Sequence, residues 1–268
     1  MADYKDKIVV ITGGSDGIGK ALVALFLALG AKVATCGRTQ TKLDDLTREF
    51  NSPNLLVIAA DVSQQSNCTL FIEKVVSQWG TIDILINNAG ISMRALVKEV
   101  SIDTLKNVMD INFWGVVYGS KAFLPHMQKV EEAHIVNTSS IFGTIAVPSQ
   151  SAYNASKFAV RGFTYALRME LEKTHINVSC VQPGGVKTNI VRDSRYIAPD
   201  NAAPTKEEIT ATFESVANLT SDQAAEKILT GVIKNKAQIL VGRDAIFIAI
   251  LERLAPVLYQ KLISRAFS

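Results

Sequence analysis

Seven short, nearly unbroken apolar runs recur along the chain: KIVVIT (7–12), AKVATC (31–36), NLLVIA (54–59), IDILIN (82–87), HIVNTS (134–139), INVSCV (176–181) and AQILV (237–241). A strand with one wet face alternates apolar and polar residues, whereas runs like these read as strands buried on both faces, as in a parallel sheet between two helix layers. The intervening segments supply the helices. Leu22, Leu25 and Leu29 recur at helical spacing, and LDDLTREF, CTLFIEKVVSQW, TLKNVMDINFWGVVYGSKAFL and SAYNASKFAVRGFTYALRMELEK carry the same period. Repeated strand–helix–strand units with right-handed crossovers give an α/β fold, a doubly wound parallel sheet of about seven strands flanked by helices on both faces. A chain of 268 residues fits one such domain over 1–268. Ligands bind beyond the carboxyl ends of the strands in sheets of this kind, so function is expected in the loops that follow the runs.

Two segments break the rhythm. NIVRDSRYIAPDNAAPTKEEIT (189–210) is polar, holds two prolines and is too long for an ordinary connection, so a lid is expected over about 189–220. Its Ile190, Tyr196, Ile197 and Phe213 suit a fairly apolar small-molecule substrate. The C-terminal segment 245–268 places Leu251, Leu254, Leu258 and Leu262 at helical spacing, and Pro256 divides it into two short helices. This amphipathic tail is too short and too charged to span a bilayer. It is expected to close over the substrate pocket or to pack within a homodimer or homotetramer, in preference to peripheral membrane contact.

Composition narrows the partners. Basic and acidic side chains nearly balance, 28 against 25, and no dense Lys/Arg run is present, so nucleic acid is not an expected partner. Cys36, Cys68 and Cys180 lie far apart with no CxxC spacing, which points to a cytoplasmic protein without a metal cage or a disulfide framework. His126, His134 and His175 are scattered and read as surface or packing residues.

The loop TGGSDGIGK (12–20) stands between an apolar strand and an apolar-periodic helix. There, backbone N–H groups at a helix N-terminus can cradle a pyrophosphate, as in Rossmann-like folds. Tyr153 and Lys157 are four apart in a helical segment and share a face. A phenol titrates near 10, but a neighbouring ammonium favours the phenolate and lowers that value, making Tyr153 a workable general acid and base. Ser140 lies at a strand end, where its hydroxyl could donate to a carbonyl oxygen as charge develops. Asn112 sits inside a helical segment, where its side chain competes for backbone groups.

Taken together, TGxxxGxG at Thr12–Gly19, NNAG at Asn87–Gly90, Ser139-Ser140, YNASK with Tyr153 and Lys157, and PGGVKT at Pro183–Thr188 fall in order at successive strand ends. In this the chain resembles the short-chain dehydrogenase/reductase family in its short, single-domain form, up to about residue 243. The resemblance implies hydride transfer between a nicotinamide and a carbonyl or secondary alcohol carbon, with Asn112, Ser140, Tyr153 and Lys157 as the catalytic set. It selects Ser140 over Ser139, and it gives Asn112 the task of kinking its helix and holding a proton-relaying water. The implied cofactor contacts are Thr12, Gly13, Ser15, Asp16, Gly17, Ile18 and Gly19 in the loop, Asp61 and Val62 beside the adenine, and Asn88, Ala89 and Gly90 in the pocket wall. Lys157 at the nicotinamide ribose, together with Tyr153, Pro183, Gly184 and Val186, and Thr188 at the carboxamide, complete them.

NADP(H) is the expected cofactor, with NAD(H) as the alternative. Where NAD-selecting relatives carry an acidic residue, this chain has Gly37, and the next residue, Arg38, offers a planar fork of donors suited to a 2′-phosphate. Thr39 and Lys42 could add contacts, while Asp16 would oppose a phosphate unless it serves as a helix cap. Three other readings compete: an NAD-dependent alcohol or hydroxysteroid-type dehydrogenase, a dinucleotide-sensing protein without catalysis, and a sugar-nucleotide epimerase. The intact Ser140, Tyr153 and Lys157 argue against the second. The GxxxGxG loop and short chain argue against the third.

Overall fold

Every residue of strand β1 (Ile8–Thr12) is buried, and its side chains leave the sheet alternately to two apolar layers. The computed structural model describes residues 4–198 and 204–266; residues 199–203 of the expected lid and the Leu262 side chain lie outside the described residues. Six further strands, β2 (Lys32–Gly37), β3 (Leu55–Ala59), β4 (Ile84–Asn87), β6 (Ala133–Thr138), β7 (Ile176–Pro183) and β9 (Gln238–Val241), join β1 in one parallel sheet. A separate pair, β5 (Met93–Arg94) and β8 (Arg195–Tyr196), forms a small second sheet.

The order of the main sheet is β3-β2-β1-β4-β6-β7-β9. Chain progression reverses between β1 and β4, which opens a crevice at their carboxyl ends. Val10, Leu85, Ile135 and Val178 point to the face covered by helices α3 (Gln65–Trp79), α5 (Gly115–Met127) and α6 (Ser151–Glu170). Val9, Ile11, Ile86 and Val181 point to the other face, under α1 (Gly17–Ala28) and α8 (Ser221–Ile233). Fully buried Phe26, Phe71 and Phe123 each contribute about 1.5–3 kcal/mol of apolar burial.

The expected strands agree with these to within one or two residues at each end. Helix α2 (Gln40–Phe50) was legible too, but α7 (Lys206–Val216), α8 and the β5–β8 pair were not read from the sequence. The stretch expected as one helix over 104–124 is three elements: α4 (Ile102–Met109), a π-helical turn at Asp110–Trp114, and α5.

The tail does divide at Pro256, into α9 (Arg243–Leu254) and α10 (Leu258–Ala266), but the expected leucine stripe is not the packed face. Ala255 leaves helical geometry at φ −141°, ψ 62°, so the helical phase set by Leu251 and Leu254 does not carry across to Leu258. Instead Ile248, Leu251, Tyr259 and Ile263 pack on Phe142, Ile145 and Val147, while Leu254 and Leu258 face outward.

Candidate active site

The glycine loop is stitched to the turn after β4. Thr12 Oγ1 accepts from the N–H groups of Asn88 and Ala89, each at 3.0 Å, and the Asn88 amide donates back to the carbonyls of Thr12 (3.2 Å) and Gly13 (3.4 Å). Gly13 needs its positive φ of 71°, and a Cβ there would stand 2.9 Å from the Ala89 Cα. A Cβ on Gly19 would fall 2.2 Å from the Gly13 carbonyl oxygen, so the first turn of α1 lies flush on the loop. Ile18, in the same turn, packs into the core under α1.

Asp16 caps α1 by accepting from Gly17 N at 2.7 Å. Its carboxylate also takes the Lys42 ammonium at 2.7 Å and the Asn189 amide at 3.0 and 3.1 Å. Burial pushes the Asp16 carboxyl up, but the bonds from Lys42 and Asn189 outweigh it and hold the group below the usual carboxylate range. Lys42, expected beside a phosphate, is therefore committed to Asp16 and reaches Asp193 at 3.5 Å. Its ammonium finds carboxylates on both the glycine loop and the expected lid, which satisfies it locally.

At the end of β2, Gly37 faces Ser15, whose Oγ lies 3.2 Å from where a Gly37 Cβ would be. Arg38 is exposed and makes no hydrogen bond or ion pair among the described residues. Thr39 starts α2 without a side-chain capping bond. Asp61 accepts from Ser63 N at 3.0 Å, and Val62 is buried against Gly115.

Beyond β6 and at the start of α6 the expected catalytic residues come together. Ser139 Oγ donates to the Lys157 carbonyl at 2.7 Å, which fixes the strand end to the helix, and Ser140 caps the following turn by accepting from Phe142 N at 3.1 Å. Tyr153 and Lys157 are both buried, and the Lys157 ammonium donates to the Thr138 carbonyl at 2.9 Å. Burial drives the Tyr153 phenol up to about 12, although the Ser140 hydroxyl bonded to it pulls the other way. Burial likewise lowers Lys157 to about 8. The expectation that Lys157 would bring the phenol below 10 is thus not met in this structure. Desolvation dominates, and the ammonium is directed at Thr138.

Asn112 is wholly buried in the π-helical turn, where it accepts from Ile91 N (2.8 Å) and donates to Ile91 O (3.0 Å) and Ser156 Oγ (3.0 Å). The extra residue of the π turn lets this side chain leave the helix and bond the loop after β4. A Cβ on Gly90 would sit 3.1 Å from Asn112 Oδ1 and 3.3 Å from Lys157 Nζ, so glycine at 90 leaves the approach to both groups open.

The loop Pro183–Thr188 completes the ring of strand ends. Thr188 lies over the glycine loop, its Cγ2 at 3.1 Å from a Gly17 Cβ position, and buried Val186 bridges to Leu219. Asp244, in the first turn of α9, accepts from Gly185 N at 2.6 Å, and its carboxylate fills the space where a Cβ on Gly184 would fall.

A family model described as short chain dehydrogenase matches residues 7–196. The chain belongs to the short-chain dehydrogenase family. As a member it is an oxidoreductase, with a Rossmann-like nucleotide-binding fold. SadH of Mycobacterium tuberculosis is 38% identical over 272 residues, covering 98% of this chain and 96% of the relative. Dehydrogenase/reductase SDR family member 7B of Mus musculus is 33% identical over 248 residues, covering 88% of this chain and 77% of the relative. Among solved structures, a short chain dehydrogenase/reductase from Burkholderia phymatum, determined in complex with NAD, superposes with a TM-score of 0.85 at 25% identity, covering 97% of each chain.

Sequence reasoning missed three residues that hold this candidate site together. Thr138 contributes a main-chain carbonyl, which leaves no trace in the side-chain pattern. Asn189 directly follows the PGGVKT motif and Asp244 opens the helix after the last strand, but neither belongs to a motif that marks it. The one available clue was Asp244 in the turn after the last strand, a helix-start acid of the usual kind.

Proposed function

We propose that this short-chain dehydrogenase interconverts a carbonyl and a secondary alcohol with NADP(H), using Tyr153 as general acid and base. The observation that carries this reading is the burial of Tyr153 and Ser140 together beyond β6, with Lys157 one helical turn on and its ammonium 5.7 Å from the Tyr153 ring centre. The nicotinamide, when bound, would supply or accept the hydride at the substrate carbon. The chain's own residues manage the oxygen. Ser140 donates a hydrogen bond to it, and Tyr153 delivers its proton as charge builds there. A phenol held near 12 keeps its proton at neutral pH and so has it to give to the substrate oxygen. Lys157, cationic below about pH 8, stabilises the phenolate that remains, and Asn112 fixes the loop that bears Gly90.

For the cofactor, the loop Thr12–Gly19 with Ser15, Ile18 and Asp16 would hold the pyrophosphate end. Asp61, Val62, Asn88 and Ala89 would line the adenosine side, and Pro183, Gly184, Val186 and Thr188 would cover the nicotinamide. The unpaired Arg38, beside a residue that carries no carboxylate, supports the 2′-phosphate. Engagement of Lys42 by Asp16, and the NAD in the Burkholderia phymatum structure, are the observations that favour NAD(H) as the second reading. The proposed substrate is fairly apolar and enters under the segment 189–220. Initial rates with NADPH and NADH across ketosteroids, 3-ketoacyl chains, long-chain keto bases and small ketones test the assignment. NADPH-dependent reduction supports it, better use of NADH reverses the cofactor assignment, and no turnover of any carbonyl overturns the activity.

A further inference from the structure

The two tail helices share an apolar inner face, and α9 is apolar on its outer side too. Their inner face packs on the turn after Ser140 through Ile248, Leu251, Tyr259 and Ile263, and the Tyr259 hydroxyl accepts from Ala146 N at 3.4 Å. The outer face of α9 is apolar as well. Ile246, Phe247, Ile250 and Leu254 form one arc of α9 at helical spacing, and Val257 and Leu258, beyond the break at Ala255, are exposed too. Phe247 is 66% exposed, Leu254 79% and Val257 69%, and it is their clustering on adjoining turns that distinguishes them from the apolar residues exposed singly elsewhere. Four cations, Arg243, Arg253, Lys261 and Arg265, are exposed on the same two helices, and none has an ion-pair partner among the described residues. Of the acids there, Asp244 is bonded to Gly185 N and Glu252 is half-buried.

We propose that this outer face of α9 and α10 docks on an anionic lipid surface. Apolar side chains ringed by unpaired Lys and Arg match a bilayer interface, where the former enter the acyl boundary and the latter meet headgroup phosphates. A second copy of the chain fits the same face less well, because a two-fold contact apposes the same patch of both copies. Apolar residues would then meet, but so would two sets of four uncompensated cations. The contact is peripheral, since no helix among the described residues is long and apolar enough to cross a membrane. The proposal does not depend on the cofactor or the reaction.

Flotation of the full chain with phosphatidylcholine vesicles, with and without about 30 mol% phosphatidylserine, tests it. The expected result is flotation with the anionic vesicles, weakened when salt is raised from about 0.1 to about 1 M. The double variant Phe247→Glu/Leu254→Glu should lose at least about tenfold of the bound fraction, and Arg253→Glu/Lys261→Glu should lose the preference for anionic lipid. Because all four positions are exposed, the melting temperatures should stay within a few degrees of wild type, which separates lost docking from lost folding. Failure of the wild type to float, or equal flotation of the first variant, overturns the proposal. So does a wild-type dimer, seen by sedimentation without lipid, that Phe247→Glu/Leu254→Glu dissociates while the wild type does not float; that result would make the face a subunit contact.

Discussion

Lys157 donates its ammonium to the Thr138 main-chain carbonyl at 2.9 Å and stands 5.7 Å from the centre of the Tyr153 ring. The cation is thus held by the end of β6, in reach of the phenol's field but not bonded to it. Its lowered titration, near 8, falls inside the range of an ordinary pH profile. Carbonyl reduction consumes a proton and needs the cation, so kcat/KM for reduction should be level below about pH 7 and fall by up to about tenfold per unit well above pH 8. Lys157→Met should be slow and lack that limb. A wild-type profile level through about pH 9.5 would remove Lys157 from the proposed role.

Tyr153→Phe should lower turnover by about two to four orders of magnitude, the scale of general acid–base catalysis. Cofactor affinity, read by fluorescence titration, should stay within about threefold of wild type, because the ring and its packing remain. Wild-type turnover in this variant would sink the mechanism.

Cofactor choice is testable at the end of β2. Hydrogen bonds to charged groups contribute about 1.5–3 kcal/mol each, so Arg38→Ala should cost about ten- to a hundredfold in kcat/KM with NADPH and little with NADH. Gly37→Asp should swing preference toward NADH. The first atoms its Cβ meets, Ser15 Oγ at 3.2 Å and Leu43 Cδ2 at 3.3 Å, belong to side-chain ends that can shift by a few tenths of an ångström.

Asp16→Asn keeps an oxygen for the Gly17 N–H but removes the charge that holds Lys42. The expected outcome is a lower KM for NADPH, an unchanged KM for NADH and a nearly unchanged melting temperature. An equal effect on both cofactors would mean that Lys42 does not reach the 2′-phosphate.

His134 is buried in β6, where its Nε2 lies 2.8 Å from Ser179 Oγ, and desolvation with the nearby Arg168 lowers it to about 4. The unfolded chain binds that proton near 6.5, so stability from this residue is present above 6.5 and is lost as pH falls toward 4. Between pH 7 and pH 5 the loss should be about 2 kcal/mol. Urea titrations at the two pH values, in wild type and His134→Gln, measure it. Equal pH slopes in the two proteins would assign acid sensitivity elsewhere.

The parallel sheet was legible because its strands are buried on both faces, which leaves unbroken apolar runs in the sequence. The glycine loop was legible from its place between a strand and a helix, Ser140 from its place after a strand, and Tyr153 and Lys157 from their four-residue spacing within one helix. Helix α8 escaped, although its capping box, Thr220 with Gln223, is a sequence-level start signal. The π turn at Asn112 could not be read, since one extra residue shifts the hydrogen-bond ladder without altering the apolar period. The titration of Tyr153 was misread because burial is a tertiary quantity, and the four-residue spacing to Lys157 does not reveal where the ammonium points. The tail was misread for the same reason: its leucines are helically spaced, but the break at Ala255 decides which of them meet the core.

The bond from Asp244 to Gly185 N ties a residue beyond the family-matched stretch to the loop proposed to cover the nicotinamide. Grafting tails between relatives would therefore exchange part of the proposed cofactor pocket along with the tail. Chimeras joined after Asp244 should retain native cofactor affinity, whereas those joined before it would inherit the donor's hold on that loop.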